Sequence, residues 1–128
     1  MGNILPELFD PSDLLDAVCR VVGVTTEAVR GDGRHRRYTL ARRVFSLMAC
    51  KHTLMRRPEV AGFIRGGTGH RTLAYTLMKA ILKANESGDF ESEWGLSLQD
   101  LCDQISECAR EIASKREGER DADQATEA

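Results

Sequence analysis

The chain has 128 residues, 41% of them hydrophobic, enough for one domain with a modest core. No apolar run approaches the roughly 20 residues that a membrane span needs, and the start MGNILPELFDPSD lacks the basic and apolar regions of a secretory leader. A formal charge of −2 hides a strong asymmetry: residues 1–29 carry a net −4, residues 30–71 a net +9 and residues 72–128 a net −7.

The chain reads as cytoplasmic, and MGNILP departs from the myristoylation pattern because Pro6 stands where Ser or Thr is required. Cys19, Cys50, Cys102 and Cys108 show no CxxC spacing and fall among apolar helical residues. They are expected as reduced, hydrophobic side chains rather than as zinc ligands. His35, His52 and His70 are too widely spaced to suggest a ligand set. No metal, cofactor or nucleotide is expected.

Apolar residues recur at intervals of three and four throughout, which predicts an all-α fold. The first helix, about Ser12 to Val22, has Leu14, Leu15, Val18, Cys19 and Val22 on one stripe, Asp10 or Ser12 as N-cap and Gly23 just past its end. A short second helix, about Thr26 to Arg30, is capped by Thr25 and stopped by the Gly-Asp-Gly of 31–33. The third, about Arg37 to Thr53, is expected to bury Leu40, Val44, Leu47 and Met48, with Arg36, Arg37, Arg42 and Arg43 crowding its N-terminal half. Cations there oppose the helix dipole, so an external anion is expected to offset their cost.

A fourth helix begins near Pro58 with Val60, Phe63 and Ile64 as its stripe, and Gly-Gly-Thr-Gly at 66–69 breaks it before His70 opens a fifth. The fifth is expected to bury Leu73, Leu77 and Ile81 with Ala74, Ala80 and Ala84. The glycines do not form a phosphate loop: Gly62 and Gly67 are correctly spaced, but Thr68 and Gly69 replace the required Lys and Ser/Thr. Two helices joined by a tight glycine turn instead meet the requirement of a helix-turn-helix. The segment NESGDFESEWGLS then reads as a polar connector carrying the only tryptophan, Trp94. A last helix, about Leu98 to Arg116, has Leu98, Leu101, Cys102, Ile105, Cys108, Ala109 and Ile112 on one stripe. It is expected either to cover the core or to form a homodimer seam, and residues from Gly118 read as a disordered acidic tail.

Four stretches together resemble the C-terminal DNA-binding domain of the bacterial replication initiator DnaA, a Trp-repressor-like helix-turn-helix. These are DAVCRVVGVTTEAV, RHRRYTLARRVFSLMACK, the Pro-Glu of RRPEVAGFI, and the Gly-Gly followed two residues later by HRTLAYTLMKAI. The likeness covers about half the chain, from about Leu14 to Ile81, and lacks the initiator's ATPase module. It implies a DNA-binding domain over 1–86, a connector and added amphipathic helix over 87–117, and the tail over 118–128.

By the same resemblance Arg36 enters the minor groove, while His70 and Thr72 face the major groove. Thr68, Gly69 and Arg71 depart from the family pattern, and Arg65 resembles a one-residue insertion. Arg71, at the head of the second helix, is placed to fork onto guanine. Arg37, Arg42, Arg43, Lys51, Arg56 and Arg57 are expected to position the backbone without reading sequence. The +9 segment predicts roughly 4 to 7 phosphate contacts.

The expected protein is a sequence-specific, non-enzymatic binder of double-stranded DNA. It would be nucleoid-associated, of bacterial or phage origin, and linked to replication or transcription. The alternative is an interaction module that engages replication proteins after losing DNA binding.

Overall fold

The computed structural model describes residues 7–65 and 72–126, with the backbone alone over 119–126. Seven helices occur among the described residues: α1 Pro11–Val22, α2 Thr26–Arg30, α3 Arg36–His52, α4 Arg57–Arg65, α5 Leu73–Ser87, α6 Asp89–Trp94 and α7 Leu98–Thr126. The fold is an all-α bundle.

Local chemistry sets the first boundaries. The Asp10 carboxylate accepts the N–H groups of Ser12 and Asp13 at 2.9 and 3.4 Å, satisfying donors that the first turn leaves unpaired. Gly23 closes α1 in the left-handed region, φ 86°, with its N–H donated to the Cys19 carbonyl. Thr25 Oγ1 accepts the Ala28 N–H at 3.1 Å and starts α2. At the head of α3, His35 Nδ1 accepts the Arg37 N–H at 3.2 Å. Thr53 ends that helix by donating both its N–H and its hydroxyl to the Ala49 carbonyl.

α3 is the axis of the bundle and packs against α1, α2, α4 and α5. Leu40, Val44, Leu47 and Met48 are buried as expected, but so are Ala41, Phe45, Ser46 and Ala49, because neighbours surround the helix on most sides. Phe45 stacks on Phe63 of α4 with ring centroids 5.7 Å apart. In α5, Ala74 and Ile81 are buried, whereas Leu73, Leu77 and Ala84 pack only partly against the core.

Three expectations change in the C-terminal part. The connector contains α6, whose single buried residue, Phe90, anchors it on α5. α7 continues to Thr126, well beyond the expected end at Arg116 and through the stretch read as a disordered tail. The apolar stripe of α7 is used inside the chain: Leu98, Leu101, Ile105 and Ala109 are buried, and α1 is the main partner. α7 is therefore a cover on the core, with Cys102, Cys108 and Ile112 of the stripe only partly buried.

Two ion pairs tie the N-terminal region to α7. Arg110 grips the Glu7 carboxylate, which holds that carboxyl below its ordinary range. Arg116 donates to Asp13 at 2.8 Å. Asp13 lies at the start of α1 and pairs with Arg116, while Arg20 near its end lies beside Cys108, so the two helices run antiparallel.

No described helix is long and apolar enough to cross a membrane. The four cysteines are free thiols. Cys19 is buried and the others are half-buried, and burial pushes the Cys19 thiol up to about 11.

Candidate nucleic-acid interface

The loop between α2 and α3 is built by arginines pointing inward. Arg42, 5% exposed, donates Nε to the Val29 carbonyl at 2.8 Å and Nη1 to Gly33 at 2.7 Å. Its Nη2 donates to Ala28 and Gly31 at 3.0 and 2.8 Å. This guanidinium caps the C-terminal end of α2, where helix carbonyls lack intrahelical donors, and folds the loop around itself. Arg42 is therefore not an outward phosphate contact, because four of its roughly five donors are already used.

Two further arginines fasten this loop to α4. Arg65 Nη1 donates to the Gly31 carbonyl at 2.8 Å and to the Asp32 carboxylate at 3.0 Å. Arg30 Nε donates to the Phe63 carbonyl at 3.1 Å, and its guanidinium lies 5.1 Å from the Phe63 ring centroid. The basic loop and the C-terminal end of α4 thus emerge side by side. Arg65, which reads in the sequence as an insertion, is one of the two residues that join them.

The other cations at the head of α3 also have partners within the fold. Arg36 donates Nη2 to the Glu93 carbonyl at 3.3 Å, places Nε 3.8 Å from the Glu93 carboxylate, and lies 4.4 Å from the centroid of the Trp94 ring. Arg37 is exposed and extends over Gly23 at the C-terminal end of α1, where a cation is favourable. Arg43 is partly buried with its Nε lacking an acceptor. It lines a cavity of about 150 Å³ with Arg36, Thr39 and Trp94. The unfavourable crowding expected from the sequence is thus offset internally at Arg36, Arg37 and Arg42.

Farther along, Lys51 lies close enough to Cys102 of α7 to oppose the upward shift that burial gives that thiol. Its side chain is exposed and makes no ion pair. Arg56 and Arg57 are exposed at the start of α4, and Arg57 sits 5.3 Å from the Tyr75 ring centroid on α5. Lys79 and Lys83 share that groove with Arg57, and Thr72 is exposed immediately before α5. Arg36 and Lys51, at opposite ends of α3, are about 22 Å apart along the helix axis.

Thr68, Gly69, His70 and Arg71 lie outside the described residues. Among the described residues, the exposed cations without an ion pair or side-chain hydrogen bond are Arg20, Arg34, Arg37, Lys51, Arg56, Arg57, Lys79, Lys83 and Lys115, and all but Arg20 and Lys115 lie between the α2–α3 loop and α5. Arg34, Lys79 and Lys83 were not among the residues singled out in the sequence. The two lysines were detectable there, since both fall on the polar side of the predicted fifth helix. Among the described residues no group of three or more His, Cys, Asp or Glu could hold a metal ion.

Comparison with protein families and with solved structures finds no match for this chain.

Proposed function

We propose that the protein binds double-stranded DNA through a Trp-repressor-like helix-turn-helix formed by α4 and α5, with the 31–35 loop and the head of α3 alongside it. The observation that carries this reading is the pair of arginine ties from Arg30 and Arg65. They hold the loop against the end of α4, so two elements that such a mode needs to present together leave the bundle at one place. Charge supports it: outward cations gather on α3, α4 and α5, while acids concentrate on α6 and α7.

The contact divides into three roles. Arg34, Arg37, Arg56, Arg57, Lys79 and Lys83 contribute affinity through phosphates, Arg36 enters the minor groove, and the segment around His70, Arg71 and Thr72 reads bases. The protein is a regulator of replication or transcription rather than an enzyme.

A salt titration tests the proposal. With Arg42 removed from the phosphate set, roughly 3 to 6 phosphates remain. Log K for random duplex should then fall against log salt with a slope of about −3 to −5. A slope near zero, or no binding at low salt, refutes DNA binding. One feature favours a second reading, an interaction module. Tyr75 and Leu82 on α5 are 46% and 43% exposed and form an apolar strip with Met78, a surface more suited to protein than to phosphate.

A further inference from the structure

Arg36 is held by two residues of a helix that lies outside the initiator-like part of the chain. We propose that α6 is a built-in competitor for DNA: Glu93 and Trp94 hold the Arg36 guanidinium, and duplex must take it from them. The inference rests on the DNA-binding reading of the preceding subsection and names a regulation of that site.

The geometry imitates what DNA would offer. Glu93 supplies an anionic oxygen 3.8 Å from Nε and a carbonyl acceptor 3.3 Å from Nη2, and Trp94 supplies a flat ring 4.4 Å away. An arginine in a groove meets the first two of these elements, anionic phosphate oxygens and neutral base-edge acceptors, while the Trp94 ring adds a cation–π hold of its own. Asp89 and Glu91 add two further negative charges on the same short helix.

α6 itself need not move. Phe90, 2% exposed, anchors it on α5, and Gly88 and Gly95 turn the chain into and out of it in the left-handed region, φ 84° and 75°. The Arg36 side chain is 58% exposed and Glu93 is 51% exposed, so rotation of the arginine alone breaks the contact. An ion pair this exposed is weak and its cation–π partner adds a comparable amount, which makes the device a modest brake rather than a lock.

The test uses the full chain and exploits Trp94, the only tryptophan. Binding of a labelled random duplex is followed by anisotropy for wild type, Glu93→Gln and Glu91→Gln, with Trp94 emission recorded on the same samples. The Glu91 variant removes the same charge from the same helix without touching Arg36. Glu93→Gln should bind about 3- to 10-fold tighter than wild type. Glu91→Gln should gain less than about twofold, as a distant screened charge would. Saturating wild type with duplex should change the Trp94 emission as the guanidinium leaves the ring.

The competitor is refuted if Glu93→Gln gains no more than Glu91→Gln, or if Trp94 emission is unchanged at saturation, while wild type still binds. Failure of wild type and of both variants to bind overturns the DNA reading and the competitor with it. Binding by Glu93→Gln where wild type binds weakly or not at all supports both. Coincident melting curves for the three proteins exclude a change in fold as the source of any difference.

Discussion

Replacing Arg42 by methionine separates a buried structural arginine from a surface phosphate contact. The substitution removes the hydrogen bonds to the carbonyls of Val29, Gly33, Ala28 and Gly31 while keeping most of the side-chain volume. The Val29 carbonyl is the most enclosed of the four, and its loss costs about 1–3 kcal/mol. The glycine carbonyls lie in a more open loop that water reaches, so those bonds and the one to Ala28 contribute about 0.5–1 kcal/mol each. Part of this is offset, because burial lowers the Arg42 pKa and removing a desolvated charge relieves that penalty. The net expectation is about 2–4 kcal/mol. For a chain of this length that corresponds to a melting temperature lower by roughly 10 °C. Thermal unfolding followed by circular dichroism measures it, and Arg42→Lys should recover less than half, since an ammonium cannot reach four diverging acceptors. A variant that melts within about 2 °C of wild type, while losing affinity for duplex, would show that Arg42 contacts phosphate and that the loop is held in some other way.

Asp13 gives a prediction in pH. Burial raises its carboxyl above the ordinary range despite Arg116, and its Oδ2 has no partner. The folded state therefore binds its proton more tightly than the unfolded state, and this group makes stability fall as pH rises through that interval. Asp13→Asn should be no less stable than wild type at neutral pH, with its relative advantage shrinking toward pH 3. Urea unfolding across pH checks this, and an advantage that grows on acidification refutes it. Ile105, fully buried on the inner face of α7, should cost about 3 kcal/mol on change to alanine, with the mass by light scattering unchanged. Unchanged stability would mean that α7 does not cover the core, and a halved mass would restore the dimer seam.

Helix ends were legible wherever capping chemistry acts over three or four residues, as at Asp10, Gly23 and Thr25. The amphipathic face of α7 was legible because Leu98, Leu101, Ile105 and Ala109 keep helical spacing over several turns. α6 was not, since only Phe90 of its six residues is buried and one residue makes no period. The candidate interface was legible only as a concentration of charge. An arginine beside carbonyl oxygens and one beside phosphates look alike in a sequence, so the inward turn of Arg42 required the tertiary position of α2. The role of Arg36 likewise depends on Glu93, 57 positions away along the chain.

The packing of α1 on α7 also sets a schedule. Leu14 and Ile105 are separated by roughly 90 residues, and at about 5–20 residues per second the first leaves the ribosome on the order of 5–20 s before the second is made. During that interval the apolar face of α1 has only part of its final cover. The nascent chain thus presents a sticky surface for far longer than the microseconds in which its individual helices form. A chain cut off before Leu98 would leave that face of α1 without the cover that Leu98, Leu101, Ile105 and Ala109 provide.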